Sequence, residues 1–282
     1  MVENRPFLDF LTHVVLILGV AVVAFPVYIA FVASTHPSST FLRGAAPLLP
    51  GNAGWEVYRN MLFEGVSTSG TPPLARMMWN SLVMAVIITV GKIVISIISA
   101  YAIVYFRFPF RALAFWMIFV TLMLPVEVRI IPTFQIAANL SLLNSYAGLT
   151  LPLIASATAT FLFRQFFLTI PEELMEAARV DGAGAMKFFK DILLPLSRTN
   201  IAALSVILFI YGWVQYLWPL LVTTDPQYYT IVMGIKRLTA VADAEPQWNL
   251  VMATVILAML PPVLVVIFMQ RLFVKGLVET EK

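Results

Sequence analysis

Long apolar runs alternate with short polar intervals along this chain. Six runs stand out: Val14–Ala33, Ser81–Phe106, Ala112–Ile131, Leu149–Phe167, Ile201–Val222 and Val251–Met269. A helix needs roughly 20 apolar residues to cross a hydrocarbon core, and each run is about that long. In lipid only helices and closed barrels satisfy their own backbone groups, and the period-two alternation of barrel strands is absent here. Pro26, Pro125 and Pro152 interrupt the runs, which membrane helices tolerate when neighbours cover the freed carbonyls. The pattern predicts an all-α, polytopic membrane protein with six transmembrane helices. The longest loop runs from about Ser34 to Asn80 and is rich in Pro, Gly and Ser. Within it "RGAAPLLPGNAGWEVYRNM" reads as a lid or short helix at the outer surface.

Composition and charge add orientation. Hydrophobic residues make up 60% of the chain and charged ones 12%, with a mean hydropathy of +0.89, beyond the usual soluble domain. The first run exceeds the ~7–15 residues of a signal-peptide core and lacks a clean cleavage site, so it reads as a retained anchor. Six spans put both termini on one face. Of the 18 Lys and Arg, six (Arg43, Arg59, Arg76, Arg129, Lys236 and Arg237) fall on the opposite face and Lys92 lies inside a span. The remaining 11 share the side of the termini, which the positive-inside rule makes the cytoplasm. The net charge of +3 reports orientation and lipid headgroups, not nucleic acid.

Several chemistries are excluded. With no cysteine, disulfides, thiolate metal sites and thiol catalysis drop out, and His13 and His36 lie too far apart to suggest a local metal motif. No G-x-x-x-x-G-K-[ST] occurs; Gly91-Lys92 lacks the earlier glycine and the hydroxyl. Neither a serine nucleophile motif nor a paired-carboxylate site is present. Any energy source sits on another chain.

One polar interval breaks the apolar rule. Glu172, Glu173, Glu176, Arg179, Asp181, Lys187, Lys190, Asp191 and Arg198 crowd the segment between the fourth and fifth runs. Thr169-Ile170-Pro171-Glu172 fits a capping box, with Glu172 and Glu173 at the positive end of the helix dipole. A helix over about Ile170–Asp181 is expected. Gly182 and Gly184 then supply a turn suited to positive φ. A second helix over about Ala185–Leu193 places Met186, Phe189 and Leu193 on one face, and Pro195 and Ser197 restart the chain toward the fifth span. The result is a cytoplasmic helix-turn-helix, although an amphipathic loop resting on headgroups would share its periodicity.

The residues of that interval narrow the choice. Glu176-Ala177-Ala178, Gly182, Ile192 and Leu194-Pro195, at these spacings, resemble the EAA loop of ABC importer permeases. "RFPFR", "TLMLPVEVRIIPTF", "ASATATFLFRQFF", "YGWVQYLWPLL" and "QRLFVKGLVETEK" extend the resemblance to the carbohydrate, maltose-permease-like type, in the branch serving sn-glycerol-3-phosphate. The resemblance implies a transport subunit without catalytic residues of its own, in the bacterial inner membrane with both termini cytoplasmic. It implies a second, homologous permease, two ATPase subunits that hold ATP and magnesium, a periplasmic substrate-binding protein, and surrounding membrane lipid. It casts residues 169–198 as the ATPase docking loop, with Glu172, Glu176, Ala177, Ala178, Asp181, Gly182, Met186, Leu194 and Pro195 as contacts. Residues 1–75 become an anchor and periplasmic loop, 76–270 the transport domain and 271–282 a cytoplasmic tail. Glu279 and Glu281 depart from the small-residue tails of some sugar relatives. The implied cargo is sn-glycerol-3-phosphate or its phosphodiesters, with another sugar or polyol as the alternative.

Cargo contacts are sought among polar groups in the spans. Lys92 is a charge at mid-span, which faces a cavity, pairs with a carboxylate or snorkels. Arg129, near the outer end of the third span, either pairs with Glu127 or joins Lys92 as a donor to a phosphate dianion. Trp213, Gln215 and Tyr216 lie in the fifth span and are candidates for the pathway, while Trp218 reads as an interface-belt aromatic. An ion-coupled secondary transporter would show repeated halves and intramembrane acids; no such repeat is evident, and Glu127 is the one acid near a span's interior. A membrane scaffold would not need so specific a loop.

Overall fold

A computed structural model describes residues 6–43, 47–66, 70–121, 124, 126–240 and 246–279. Helices dominate: α1 (Pro6–Ser34), α2 (Gly54–Phe63), α3 (Leu74–Tyr105), α4 (Arg111–Val120), α5 (Val126–Asn139), α6 (Tyr146–Thr150) and α7 (Ala157–Leu168). They are followed by α8 (Glu172–Val180), α9 (Ala185–Phe188), α10 (Leu194–Leu196), α11 (Arg198–Trp213), α12 (Leu217–Val222), α13 (Ile231–Thr239) and α14 (Trp248–Glu279). Among the described residues the one β-type pairing is an isolated antiparallel bridge between Val66 and Thr71.

Three helices are long and apolar enough to span a membrane unbroken: Phe7–Ser34, Leu74–Tyr105 and Trp248–Gln270. Two more candidate spans are bent pairs. Tyr146–Leu153 and Ala157–Leu168 meet at 45°, and Ala185–Leu196 and Arg198–Trp213 at 70°. The run expected as a continuous third span is instead the short α4 followed by a separate α5. The run expected as the fifth is interrupted after Trp213, and α12 resumes at Leu217. Non-helical backbone at membrane depth is tolerated where protein buries it or where it lines a water-filled cavity.

The chain divides into two compact units, Met1–Arg76 with Gly234–Leu260, and Met77–Met233 with Pro261–Lys282. In the first, α1 is apolar all round and exposed along its length, as expected of a helix meant for lipid or another subunit. Its end is pinned by polar contacts. Ser34 Oγ lies 2.7 Å from the Tyr58 hydroxyl, and Gly51 N–H donates to Thr35 Oγ1 at 2.8 Å. A Cβ on Gly51 would sit 2.7 Å from the Thr35 carbonyl oxygen, so the approach requires glycine there.

The second unit has two apolar clusters, one toward each end of α3. The first gathers Met84, Ile88, Ile130, Ala137, Leu149, Trp218 and Val222. Beside it, buried Asn80 donates to the Gln227 and Tyr229 carbonyls at 2.8 and 2.9 Å and accepts from the Tyr146 hydroxyl at 2.7 Å. Ser81 accepts from Ile231 N–H at 2.9 Å. Asn80 and Ser81 thus fasten the segment 227–231 to α3, within a network whose side-chain groups are paired. Trp218 is buried and donates from Nε1 to the Gly148 carbonyl at 3.1 Å. It is an internal strut, which corrects its reading as an interface aromatic.

Candidate docking loop and translocation site

The second cluster builds the docking loop from below. Tyr101, Phe163, Phe167, Ala178, Phe188, Leu193, Leu204 and Leu208 are buried together, joining α3, α7 and α11 to the loop. The Tyr101 hydroxyl donates to the Ala185 carbonyl at 2.7 Å. Its ring lies 4.9 Å from Phe189, and Tyr105 meets Phe188 edge-on at 5.4 Å. Such contacts add about 0.5–1.5 kcal/mol each beyond area burial, so the loop is welded to the helix ends.

The start of the loop differs from the expected capping box. Thr169 ends the preceding helix, its hydroxyl donating back to the Phe166 carbonyl at 2.7 Å. Pro171 is the N-cap of α8, without a side-chain cap. With Thr169 at the C-cap of α7 and Pro171 as the N-cap of α8, the threonine lies two residues too early and the capping box does not form. Glu172 and Glu173 still occupy the first turn and Arg179 the last, which suits the dipole at both ends.

The end of α8 is a Schellman motif. Gly182 adopts φ +72°, its N–H donates to the Arg179 carbonyl at 3.0 Å, and Ala183 N–H reaches the Ala178 carbonyl at 2.8 Å. This pattern favours glycine at the left-handed position. Gly184, by contrast, is extended at φ −72° and needs no such freedom. The second helix was expected to set Met186, Phe189 and Leu193 on one face, with Met186 also a docking contact. The structure buries Phe188 and Leu193, leaves Phe189 half-buried and exposes Met186 at 73%. The physical reason is a π turn over Phe189–Leu193, whose wider winding brings positions five apart into line. Pro195 follows it; a proline there has no N–H and its ring presses on the carbonyl four residues back, which disfavours ordinary α winding.

Most of the expected docking residues are solvent-accessible. Glu172, Glu176, Ala177, Asp181, Gly182, Met186 and Pro195 are exposed, Leu194 is half-buried and Ala178 is buried. The close approach that Ala178 permits is therefore to the chain's own cluster. A cavity of about 880 Å³ opens beneath the loop, lined in part by Tyr101, Tyr105, Arg107, Glu172, Glu176 and Arg179.

Of the candidate cargo residues, Lys92 and Gln215 both touch Tyr211. Lys92 is buried, and its Nζ lies 3.8 Å from the ring centroid of Tyr211 on α11. A desolvated cation–π contact of this kind contributes about 2 kcal/mol. Arg129 is exposed and acts electrostatically on both Lys92 and Tyr211. Among the described residues no carboxylate pairs with either cation. The expected alternative for Arg129, pairing with Glu127, falls on a side chain outside the described residues. Two glycines allow the helices to meet: a Cβ on Gly91 would lie 2.8 Å from Ile154, and one on Gly212 would lie 2.8 Å from the Ala85 Cα. Gln215 sits in the break between α11 and α12, its amide donating to the Tyr211 carbonyl at 3.1 Å. Tyr216 is half-buried at the N-cap of α12. Trp213 faces inward, buried with its ring stacked on Phe209 at 6.0 Å. Tyr211 was not anticipated; its spacing one helical turn before Gln215 was the available signal.

Residues 92–279 match the family described as binding-protein-dependent transport system inner membrane component. Over 282 residues, all of both chains, the protein is 61% identical to the "sn-glycerol-3-phosphate transport system permease protein UgpE" of Brucella melitensis biotype 1. Full-length proteins of the same name from Agrobacterium fabrum and Yersinia pestis bv. Antiqua are 60% and 59% identical. In fold, the chain is similar to a chain of a bacterial ABC transporter involved in the import of the acidic polysaccharide alginate. The TM-score is 0.79 at 19% identity, over 96% of this chain and 98% of that one.

Proposed function

The chain belongs to the family of binding-protein-dependent transport system inner membrane components, and from that premise we propose that it passes sn-glycerol-3-phosphate inward as one of two permease subunits in an ATP-driven importer. It is a transport subunit of the membrane, not an enzyme. Full-length identity of about 60% to permeases named for that cargo carries the reading. In it residues 76–270 form the transport domain, and the 169–198 loop faces the cytoplasm and docks on an ATPase that holds ATP and magnesium. A periplasmic protein delivers cargo from the other side, and both termini are cytoplasmic.

The geometry supplies a mechanism consistent with this. The exposed carboxylates of α8 offer charge-assisted bonds to basic groups on the ATPase. The cluster of Tyr101, Phe167, Phe188 and Leu193 would carry a displacement of the loop into α3, α7 and α11 as one packed body. Lys92 on α3 and Arg129 on α5, neither paired with a carboxylate among the described residues, create a local positive potential. A phosphate monoester dianion is an anion that would relieve it, with Arg129 donating two parallel hydrogen bonds and Lys92 a point charge. Six transmembrane crossings follow if each bent pair and the α4–α5 segment each cross once.

Uptake of labelled sn-glycerol-3-phosphate tests the reading. Cells lacking their own importer, given this chain with its cognate permease, ATPase and binding protein, should accumulate label in an ATP-dependent manner. Assembled complex without accumulation would overturn the cargo assignment.

A further inference from the structure

We propose that a second anion site, separate from the cargo path, holds the phosphate of an anionic phospholipid from the cytoplasmic leaflet. The site is a cavity of about 350 Å³ between the end of α3, the start of α4 and α7. Ile103, Val104, Phe115 and Trp116 make its apolar wall, and Arg111 and Arg164 supply its charge. The Arg164 guanidinium carbon stands 4.1 Å from the Phe115 ring centroid, which fixes the fork beside the cavity.

Two observations ask for an anion there and a third for acyl chains. Among the described residues neither guanidinium has a carboxylate partner. Arg111 is the first residue of α4, where the helix dipole is positive, and no acidic residue shares that turn. A cation at that end is unfavourable unless something negative sits nearby. Finally, α4 buries none of its residues, and Leu113, Trp116 and Met117 are exposed, so acyl chains have a face to lie on. A phosphate between two arginines with hydrocarbon along an aromatic wall is the chemistry of a basic interhelical lipid pocket. A free phosphate would use the arginines and leave the apolar wall bare, so the lipid is the occupant the whole cavity fits. Placing the site in the cytoplasmic leaflet rests on the loop orientation given above.

The test uses the purified full importer, stripped of lipid and titrated with palmitoyl-oleoyl phosphatidylglycerol under native mass spectrometry. A photoactivatable phosphatidylglycerol is cross-linked in parallel. Wild type should retain the lipid and cross-link within the peptide around Phe115 and Trp116. Arg111→Gln with Arg164→Gln should weaken that binding about 30-fold, whereas the Arg111→Lys, Arg164→Lys pair should keep most of it. If the glutamine pair does not assemble, the wild-type cross-link and the lysine pair still decide. Equal binding by wild type and the glutamine pair would overturn the site. So would displacement of the lipid by inorganic phosphate, or a cross-link from this peptide to the partner permease in place of lipid. Cargo uptake by the same preparation separates the two proposals: a complex that holds the lipid but imports no sn-glycerol-3-phosphate fails only on function.

Discussion

Replacing Gly182 isolates the backbone geometry of the loop from its surface chemistry. No atom lies within 4 Å of the place a Cβ would occupy, and φ is +72°, so alanine there meets strain and no clash. The left-handed conformation costs a non-glycine residue roughly 1–2 kcal/mol, enough to shift a local equilibrium about tenfold. Asparagine tolerates that region better and should cost less. Proline is different in kind. It holds φ near about −65° and removes the N–H that now reaches the Arg179 carbonyl at 3.0 Å, so the turn between α8 and α9 must be rebuilt. The assay is cargo-stimulated ATP hydrolysis per assembled complex, with insertion checked separately. The expected order is Gly182, then Gly182→Asn, then Gly182→Ala, with Gly182→Pro inserted but uncoupled. Normal coupling by the proline variant, or asparagine worse than alanine, would refute the reasoning.

Three further outcomes follow from the same structure. Asn80→Ala removes three hydrogen bonds, to the Gln227 and Tyr229 carbonyls and from the Tyr146 hydroxyl, and at about 0.5–1.5 kcal/mol for each bond it should lower the melting temperature in detergent measurably; an unchanged melt would contradict the network. Gly212→Ala drives a methyl toward the Ala85 Cα and should destabilise by about 1–3 kcal/mol, read in the same melt and absent if α3 and α11 part freely. Single cysteines at Lys187 or Asp191 should resist an impermeant thiol reagent in intact cells and react in inverted vesicles, and labelling from outside would reverse the proposed orientation.

Helix content and the broad positions of α1, α3 and α14 were legible because each is a long uninterrupted apolar run. The breaks were not. Hydropathy continues smoothly through Val214 and Tyr216, where the helix stops, because apolar side chains say nothing about backbone pairing inside a protein. The 3.6-residue period set Met186, Phe189 and Leu193 on one face, whereas the π turn before Pro195 aligns Phe188 with Leu193 as the buried pair. Gly182 was readable from its type and position at a helix end. Asn80 was not: its partners at Gln227 and Tyr229 lie about 150 residues away, and no local pattern announces such a contact. Lys92 and Arg129 were singled out as isolated charges; the seat of Lys92 over the Tyr211 ring and the influence of Arg129 on both are properties of the folded chain alone.

In this mechanism the crossing of a dianion depends on Arg129 and Lys92. Import of labelled sn-glycerol-3-phosphate into proteoliposomes is compared for wild type, Arg129→Ala and Lys92→Ala, each normalised to assembled complex and to basal ATP hydrolysis. Removing one charge-assisted contact of about 1.5–3 kcal/mol should lower import on the order of tenfold or more in each variant while basal hydrolysis persists. Import at wild-type rates by both variants, or none by wild type itself, would contradict the account.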